Sequence, residues 1–290
     1  MPVINTNVSS VIARNALNKN EHEMTKAMEK LSTGKRINSS GDDAAGMAIT
    51  SRMSAQISGL DQAARNANDG ISMIQITEGA TSEMSNILIR MRELSVQSAS
   101  DTIGDRERGY LNREYVQLAN ELDRIGNTTE FNGNKIFQSE KEEYVIQVGI
   151  NGSDLEANED VIGINLEGLK NLNTEAMGIG TEAEIGPSEL DGSDPVDREE
   201  IVENIGILDT ALTTIASERA TLGSVQSRLN TTIKNLSISV ENMATAKSRI
   251  KDVDFATESS KYAQAKILEQ SSIAMLAQAN LKPEIALSLI

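Results

Sequence analysis

IVENIGILDTALTTIASERATLGSVQSRLNTTIKNLSISVENMATAKSRI, residues 201–250, places a large apolar side chain at every seventh position: Ile201, Leu208, Ile215, Leu222, Leu229, Leu236, Met243 and Ile250. Ile205, Leu212, Ile233 and Val240 widen the stripe, while Arg219 and Gln226 narrow it midway. A repeat of seven held over this length predicts one helix of roughly 50 residues, about 75 Å at 1.5 Å per residue. Its seam, Leu208, Ile215, Leu222, Leu229, Leu236 and Met243, is the expected rod core. Asp194 is the expected N-cap and Pro195 the expected first helical residue, with Lys247, Arg249 and Lys251 complementing the dipole at the far end.

Upstream segments supply partners for that seam. Met53, Leu60, Ala67 and Ile74 are seven apart. The frame then slips by one, and Ala80, Ile87 and Leu94 continue it with Met84 and Met91 between, which predicts a second long helix containing one stutter. Gly59, Gly70 and Gly79 each weaken such a helix by about 1 kcal/mol relative to alanine, leaving either close helix approach or a break. After an interruption at 101–104, Leu111, Tyr115, Leu118, Leu122 and Ile125 predict a third helix closed by Gly126. The period then changes to two: Tyr144, Ile146, Val148 and Ile150 share a strand face, Asn151-Gly152 signals a hairpin, and residues 161–166 form the return strand. Residues 173–193 have no strong period and read as a short surface excursion.

Composition removes whole classes of chemistry. The chain of 290 residues has no cysteine and no tryptophan, three phenylalanines and four tyrosines. Thiolate nucleophiles, disulfides and cysteine-based zinc sites are therefore excluded, and an aromatic-lined cofactor pocket is not expected. His22 is the sole histidine, so no histidine triad or multi-histidine metal centre is expected, and His22 reads as a polar-face residue. Net charge is −16, which argues against a phosphate-contacting nucleic-acid binder. Residues 139–200 carry 17 acidic and three basic residues, whereas the rest is nearly balanced at 26 against 24. The acidic middle should face solvent and the flanks should pack as arms. Of four prolines, none interrupts either arm. No window approaches the ~20 apolar residues of a membrane span, and no basic segment followed by an apolar core opens the chain, so neither membrane insertion nor a cleaved signal is expected.

The two ends break the pattern of a closed fold. Ile4 and Val11 are seven apart, as are Leu17, Met24 and Leu31, with Val8, Ile12 and Met28 widening the face. This helix should stop at Thr33-Gly34, and a loop over 35–43 should precede the next helix near Ala44. At the other end, residues 270–290 contain two charges, Lys282 and Glu284. Around the helix predicted over 255–280, Ala263, Ala265, Ile267, Leu268, Ile273, Ala274, Met275, Leu276, Ala277 and Ala279 occupy more than one face. A single intramolecular partner leaves such a helix partly bare. The ends should therefore pair with each other and bury their remaining faces against further copies. The expected subunit interface is Val8, Val11, Ile12, Leu17, Met24, Met28 and Leu31 with Ile267, Leu268, Ile273, Met275, Leu276, Leu287 and Leu289. A closed bundle and a membrane-surface helix are the competing readings, the latter lacking the Lys- and Arg-rich polar face it needs. Association through a surface unlike its complement gives rings or open filaments.

Several of these stretches resemble the bacterial flagellins: L-S-T-G-K-R-I-N-S-S-G-D-D-A-A-G-M-A-I at 31–49, R-N-A-N-D-G-I-S at 65–72, T-E-F-N-G-N-K-I-F at 129–137 and Q-S-S-I-A-M-L-A-Q-A-N at 270–280. The resemblance spans roughly 1–166 and 197–281. It implies a structural subunit that self-polymerises into the helical filament used for motility, exported unfolded and located outside the cell. It implies paired terminal helices forming an inner tube, with an export chaperone, a filament cap and hook-junction proteins as partners. A hook–filament junction protein, or another flagellar-exported protein sharing the terminal helices, is the alternative. Large outer domains are absent, and L-K-P-E-I-A-L-S-L-I at 281–290 departs from the family's usual ending. R-M-R-E-L at 90–94 resembles the segment read by an animal Toll-like receptor, making Arg90, Leu94 and Glu114 candidate contacts, with filament packing as the other explanation.

No catalytic, cofactor or metal site is expected. Thr33-Gly34-Lys35-Arg36 lacks the P-loop's first glycine and its following Ser or Thr, and Asp191, Asp194 and Asp197 do not fit a calcium loop. The expected fold is mainly α, a long antiparallel coiled-coil rod with a small β-hairpin region, flanked by paired terminal helices. Its segments are 1–43 (N-terminal helix and loop), 44–178 (rod helices and hairpin), 179–196 (surface loop), 197–253 (rod helix) and 254–290 (C-terminal helix).

Overall fold

A computed structural model describes residues 6–138, 141, 143–151, 160–170, 174, 179, 185–187 and 197–287. Along the chain run α1 (Val8–Thr33), α2 (Ala44–Ser98), α3 (Asp105–Thr128), β1 (Glu130–Phe131), β2 (Asn134–Lys135), β3 (Glu143–Gln147), β4 (Val161–Asn165), α4 (Glu167–Lys170), α5 (Arg198–Lys251) and α6 (Phe255–Leu287). Their contacts form two units, Met1–Ser58 with Val240–Ile290, and Gly59–Ser239.

In the second unit α2, α3 and α5 share one core. Arg92 Nε bonds Asp209 Oδ1 at 2.6 Å, and a Cβ on residue 70 would sit 3.5 Å from Leu229 Cδ1, so sequence numbers fall on α5 as they rise on α2 and the helices are antiparallel. Arg90 Nη2 to Glu114 Oε1 (2.7 Å) and Arg108 Nη2 to the Ser100 carbonyl (3.4 Å) make α3 antiparallel to α2 as well. On α5, Ile201, Leu208, Ile215, Leu222, Leu229 and Leu236 are buried, and Met243 and Ile250 are half-buried in the first unit. The helix begins at Arg198, three residues beyond Pro195; Asp194 and Pro195 lie outside the described residues.

Two expectations are corrected here. The stutter in α2 does not exist: from Leu60 through Ala63, Ala67, Gly70, Ile74, Thr77, Thr81, Met84, Leu88, Met91, Ser95 and Ser98 a buried 3-4 spacing runs unbroken. Its middle positions are hydroxyls that a count of large apolar residues skips. They are tolerated because each donates back along the helix: Thr77 to the Met73 carbonyl at 2.9 Å, Thr81 to that of Thr77 at 3.0 Å and Ser95 to that of Met91 at 2.9 Å. Gly126 does not close α3. It is buried inside the helix, which ends at Thr128 with the Thr129 N–H donating to the Ile125 carbonyl at 3.1 Å. The α2 glycines, left open between close approach and a break, do not break the helix. Gly59 and Gly70 let the sheet face approach, since a Cβ there would lie 2.8 Å from Ile150 Cγ2 and 3.2 Å from Ile146 Cγ1, respectively, while Gly79 meets nothing within 4 Å.

β3 and β4 pair antiparallel with Tyr144 opposite Ile164 and Ile146 opposite Ile162. Gly152 lies outside the described residues. A second hairpin pairs β1 with β2 through Asn132 (φ 50°) and Gly133 (φ 77°), the left-handed pair a two-residue turn requires. It delivers Ile136 and Phe137, each 1% exposed, to the core.

The stretch expected as a surface excursion is pinned to the bundle wherever it is described. Thr174, Ile179, Ile185, Gly186 and Pro187 are buried. The Thr174 N–H and hydroxyl both donate to Asp123, at 3.0 and 2.6 Å. Asn112 Oδ1 accepts from the Ile185 N–H at 3.2 Å, and Ser98 donates to the Ile185 carbonyl. Gly186 lies so close to Arg108 that a Cβ would fall 2.4 Å from its carbonyl oxygen. Isolated isoleucines in an acidic stretch carry no periodicity, which is why the sequence conceals this strap.

Candidate assembly site

The first unit is built on the pairing of α1 with α6. Asn7 caps α1, its side-chain oxygen accepting from the Ser10 N–H at 3.1 Å, and its amide nitrogen donates to the Ala279 carbonyl at 2.8 Å. Ser10 bonds Asn280 Oδ1 and Asn20 bonds Ser272 Oγ, both at 2.8 Å. The partners descend along α6 as α1 ascends, so the pair is antiparallel. Ala27, Ala265 and Ala279 are the buried contacts.

Where α1 ends, Gly34 adopts φ 69°, the left-handed cap that the Thr33-Gly34 stop signal required. The following loop is tied to the end of α5: the Arg36 N–H donates to the Lys251 carbonyl at 2.7 Å, the Val253 N–H to the Gly34 carbonyl at 3.1 Å, and the Arg36 guanidinium to the Ile250 carbonyl through Nε (3.1 Å) and Nη2 (2.7 Å). Ile37 is buried beneath it. Asp42 Oδ2 accepts from the N–H groups of Ser39 and Asn38 at 3.0 and 3.1 Å, which hold its carboxyl below the ordinary aspartate value. Asp43 opens α2 by accepting from the Gly46 N–H at 2.8 Å, as Asp254 opens α6 by accepting from the Ala256 N–H at 2.9 Å. Bonds from the Thr257 hydroxyl and N–H, then from the Ala256 N–H, hold the Asp254 carboxyl low.

Around this frame the residues expected at a subunit interface divide in two. Leu17, Met24, Leu31 and Leu276 are half-buried. Val8, Val11, Ile12, Met28, Ile267, Leu268, Ile273 and Met275 are exposed, with Ile12 at 64%, Met275 at 63% and Ile267 at 66%. The Leu287 side chain, Leu289 and Ile4 lie outside the described residues. Between the two helices runs an open groove of about 450 Å³ lined by residues that include Ser9, Ile12, Ala13, Ala16, Leu268 and Met275. No helix among the described residues is long and apolar enough to cross a membrane.

The candidate receptor residues sit in the second unit. Arg90 bridges Glu114 and Glu93, which raises its pKa, and both Arg90 and Glu114 are exposed. Leu94 is 1% exposed and belongs to the hydrophobic core, one residue before Ser95 of the α2 seam.

Residues 4–142 match the family model described as the bacterial flagellin N-terminal helical region, and residues 205–290 match the bacterial flagellin C-terminal helical region. A flagellin of Halalkalibacterium halodurans is 42% identical over 288 residues and one of Bacillus subtilis 39% identical over 311, each alignment covering 99% of both chains. A putative flagellar hook-associated protein from Vibrio parahaemolyticus shares the fold at TM-score 0.59 and 14% identity, over 73% of this chain and all of that one.

Proposed function

We propose, from the premise that the chain belongs to the bacterial flagellin family, that its paired terminal helices are the surface through which copies of it join. The protein is a structural subunit of the flagellar filament and polymerises with itself. What supports the terminal helices as the joining surface is one observation: Ile12, Ile267 and Met275 stand more than 60% exposed around an already formed helix pair. Apolar area of this kind is removed from water by a further helix, at roughly 25 cal/mol per Å² buried.

On this reading the assembled polymer lies outside the cell, and an export chaperone, a cap and hook-junction proteins meet the same ends before or beside the next copy. A receptor engaging the folded subunit would meet the Arg90–Glu114 pair, with Leu94 acting as packing in the core. The test is Met275→Asp. At an exposed position the charge leaves the far-ultraviolet circular dichroism of the dilute chain unchanged, while sedimentable polymer disappears. Wild-type polymerisation by this variant would refute the assignment.

A further inference from the structure

With no cysteine, the oxidisable sulfur of the chain lies entirely in its 11 methionines. Met1 and Met177 lie outside the described residues, and burial sorts the rest. Met73, Met84 and Met91 are enclosed in the core of the second unit, at 4%, 0% and 0% exposure. Four more are half-buried. The two that stand open both belong to the terminal helices: Met28 on α1 at 49% and Met275 on α6 at 63%.

Met275 also lines the α1–α6 groove of about 450 Å³, together with Ile12 and Leu268, and none of the residues lining that groove is charged. A thioether suits such a surface, being flexible, polarizable and apolar. Its sulfoxide does not, because the S=O oxygen is a strong acceptor and covering it with apolar side chains strips its water away. Accessibility therefore selects the sulfur that reacts, and the groove decides what the reaction changes.

We infer that Met275 is a redox-controlled modification site, at which oxidation to the sulfoxide withholds an unassembled subunit from the polymer. The inference rests on the reading that copies join through the terminal helices, and it adds what regulates the joining. With hydrogen peroxide as oxidant, a lone pair of Met275 Sδ attacks one peroxide oxygen and the O–O bond breaks. The proton of the transferred oxygen passes to the departing hydroxide, which leaves as water. Sulfur is oxidised, peroxide is reduced, and no further reactant is needed. The second unit stays folded because its core methionines are enclosed. A methionine sulfoxide reductase reverses the step: the oxygen leaves as water and the dithiol of the enzyme becomes a disulfide.

The test treats dilute wild-type chain with hydrogen peroxide, quenches it, maps the added oxygen by peptide mass and then measures the protein concentration at which polymer appears. Met28 and Met275 should gain oxygen at least about tenfold faster than Met73, Met84 and Met91. The polymerisation threshold should rise at least about tenfold, the effect of one acceptor left unsatisfied, with far-ultraviolet circular dichroism unchanged. Reductases for both sulfoxide epimers, supplied with dithiothreitol, should lower it again. Met275→Leu keeps an apolar side chain without an oxidisable atom, so its own treated and untreated thresholds should differ by less than about twofold. If that variant forms no polymer, the reductases decide, and a threshold that stays high after the native mass has returned overturns the inference. So does a threshold that rises equally in Met275→Leu, or one that does not rise in wild-type chain carrying sulfoxide at 275. In that last case, loss of polymer in Met275→Asp leaves the joining surface standing, whereas polymer from both overturns the joining surface as well.

Discussion

Truncating Leu229 to alanine tests the packing that holds the second unit together. Leu229 has no exposed surface, and its Cδ1 lies over Gly70, filling space that α2 leaves empty there. The truncation removes three carbons, about 2.4 kcal/mol at 0.8 per buried group, and the residual cavity raises the loss into the range of about 2–5 kcal/mol. Ile238 on the same helix is 57% exposed, and its truncation should change stability by no more than about 0.5 kcal/mol. Gly70→Ala supplies a second comparison. In the otherwise wild-type chain its methyl would press on Ile146 Cγ1 at 3.2 Å, opposing a helix-propensity gain of about 1 kcal/mol. Combined with Leu229→Ala, the same methyl partly refills the cavity, so the double variant should be more stable than the singles add up to, by at least about 0.5 kcal/mol. Urea unfolding of dilute, unassembled protein, followed by circular dichroism with slopes compared, reads all four. A loss below about 1 kcal/mol for Leu229→Ala, or equal losses at 229 and 238, would refute the reasoning.

Asn112→Ala removes the acceptor for the buried Ile185 N–H and should cost about 1–3 kcal/mol by the same unfolding assay, with earlier proteolysis in the strap. Tyr115 has a buried hydroxyl with no hydrogen-bond partner among the described residues, so Tyr115→Phe should be neutral or stabilising; a loss above about 1 kcal/mol would mean the hydroxyl is bonded. Burial also raises the Tyr115 phenol, which should be the last of the four tyrosines to ionise in a spectrophotometric titration. Asp42 and Asp254 have carboxyls lowered in the folded chain, so their stabilisation is present above the ordinary 3.8 and is lost as pH falls through the lowered folded values. Hydrogen exchange at the start of α6 should therefore accelerate below about pH 3.8 and depend less on pH in Asp254→Asn, which retains a capping side chain without the charge.

Periodicity exposed what was large and apolar, and little else. The α5 seam needed no structure, nor did the stop at Thr33-Gly34 and the restart at Ala44, because heptads and a left-handed glycine have direct local signatures. The α2 seam was misread at Thr77 and Thr81, where hydroxyls bonded to their own helix serve as core. Asn132-Gly133 was a hairpin signal in plain view, overlooked because its strands are two residues each. The strap depends on Asp123 and Asn112, polar residues on α3 whose partners lie 51 and 73 positions away, a pairing no local pattern carries. At the assembly site the terminal apolar residues were legible. Their division into those facing α1 or α6 and those left bare was not, since it depends on how the two helices rotate against each other.

An image reconstruction of the assembled polymer at side-chain resolution addresses that division directly. Ile12, Ile267 and Met275 should each lie within 4–4.5 Å of an apolar side chain from a neighbouring copy, the distance at which such groups touch. A polymer in which these three face solvent, held together through the acidic middle of the chain, would contradict the account.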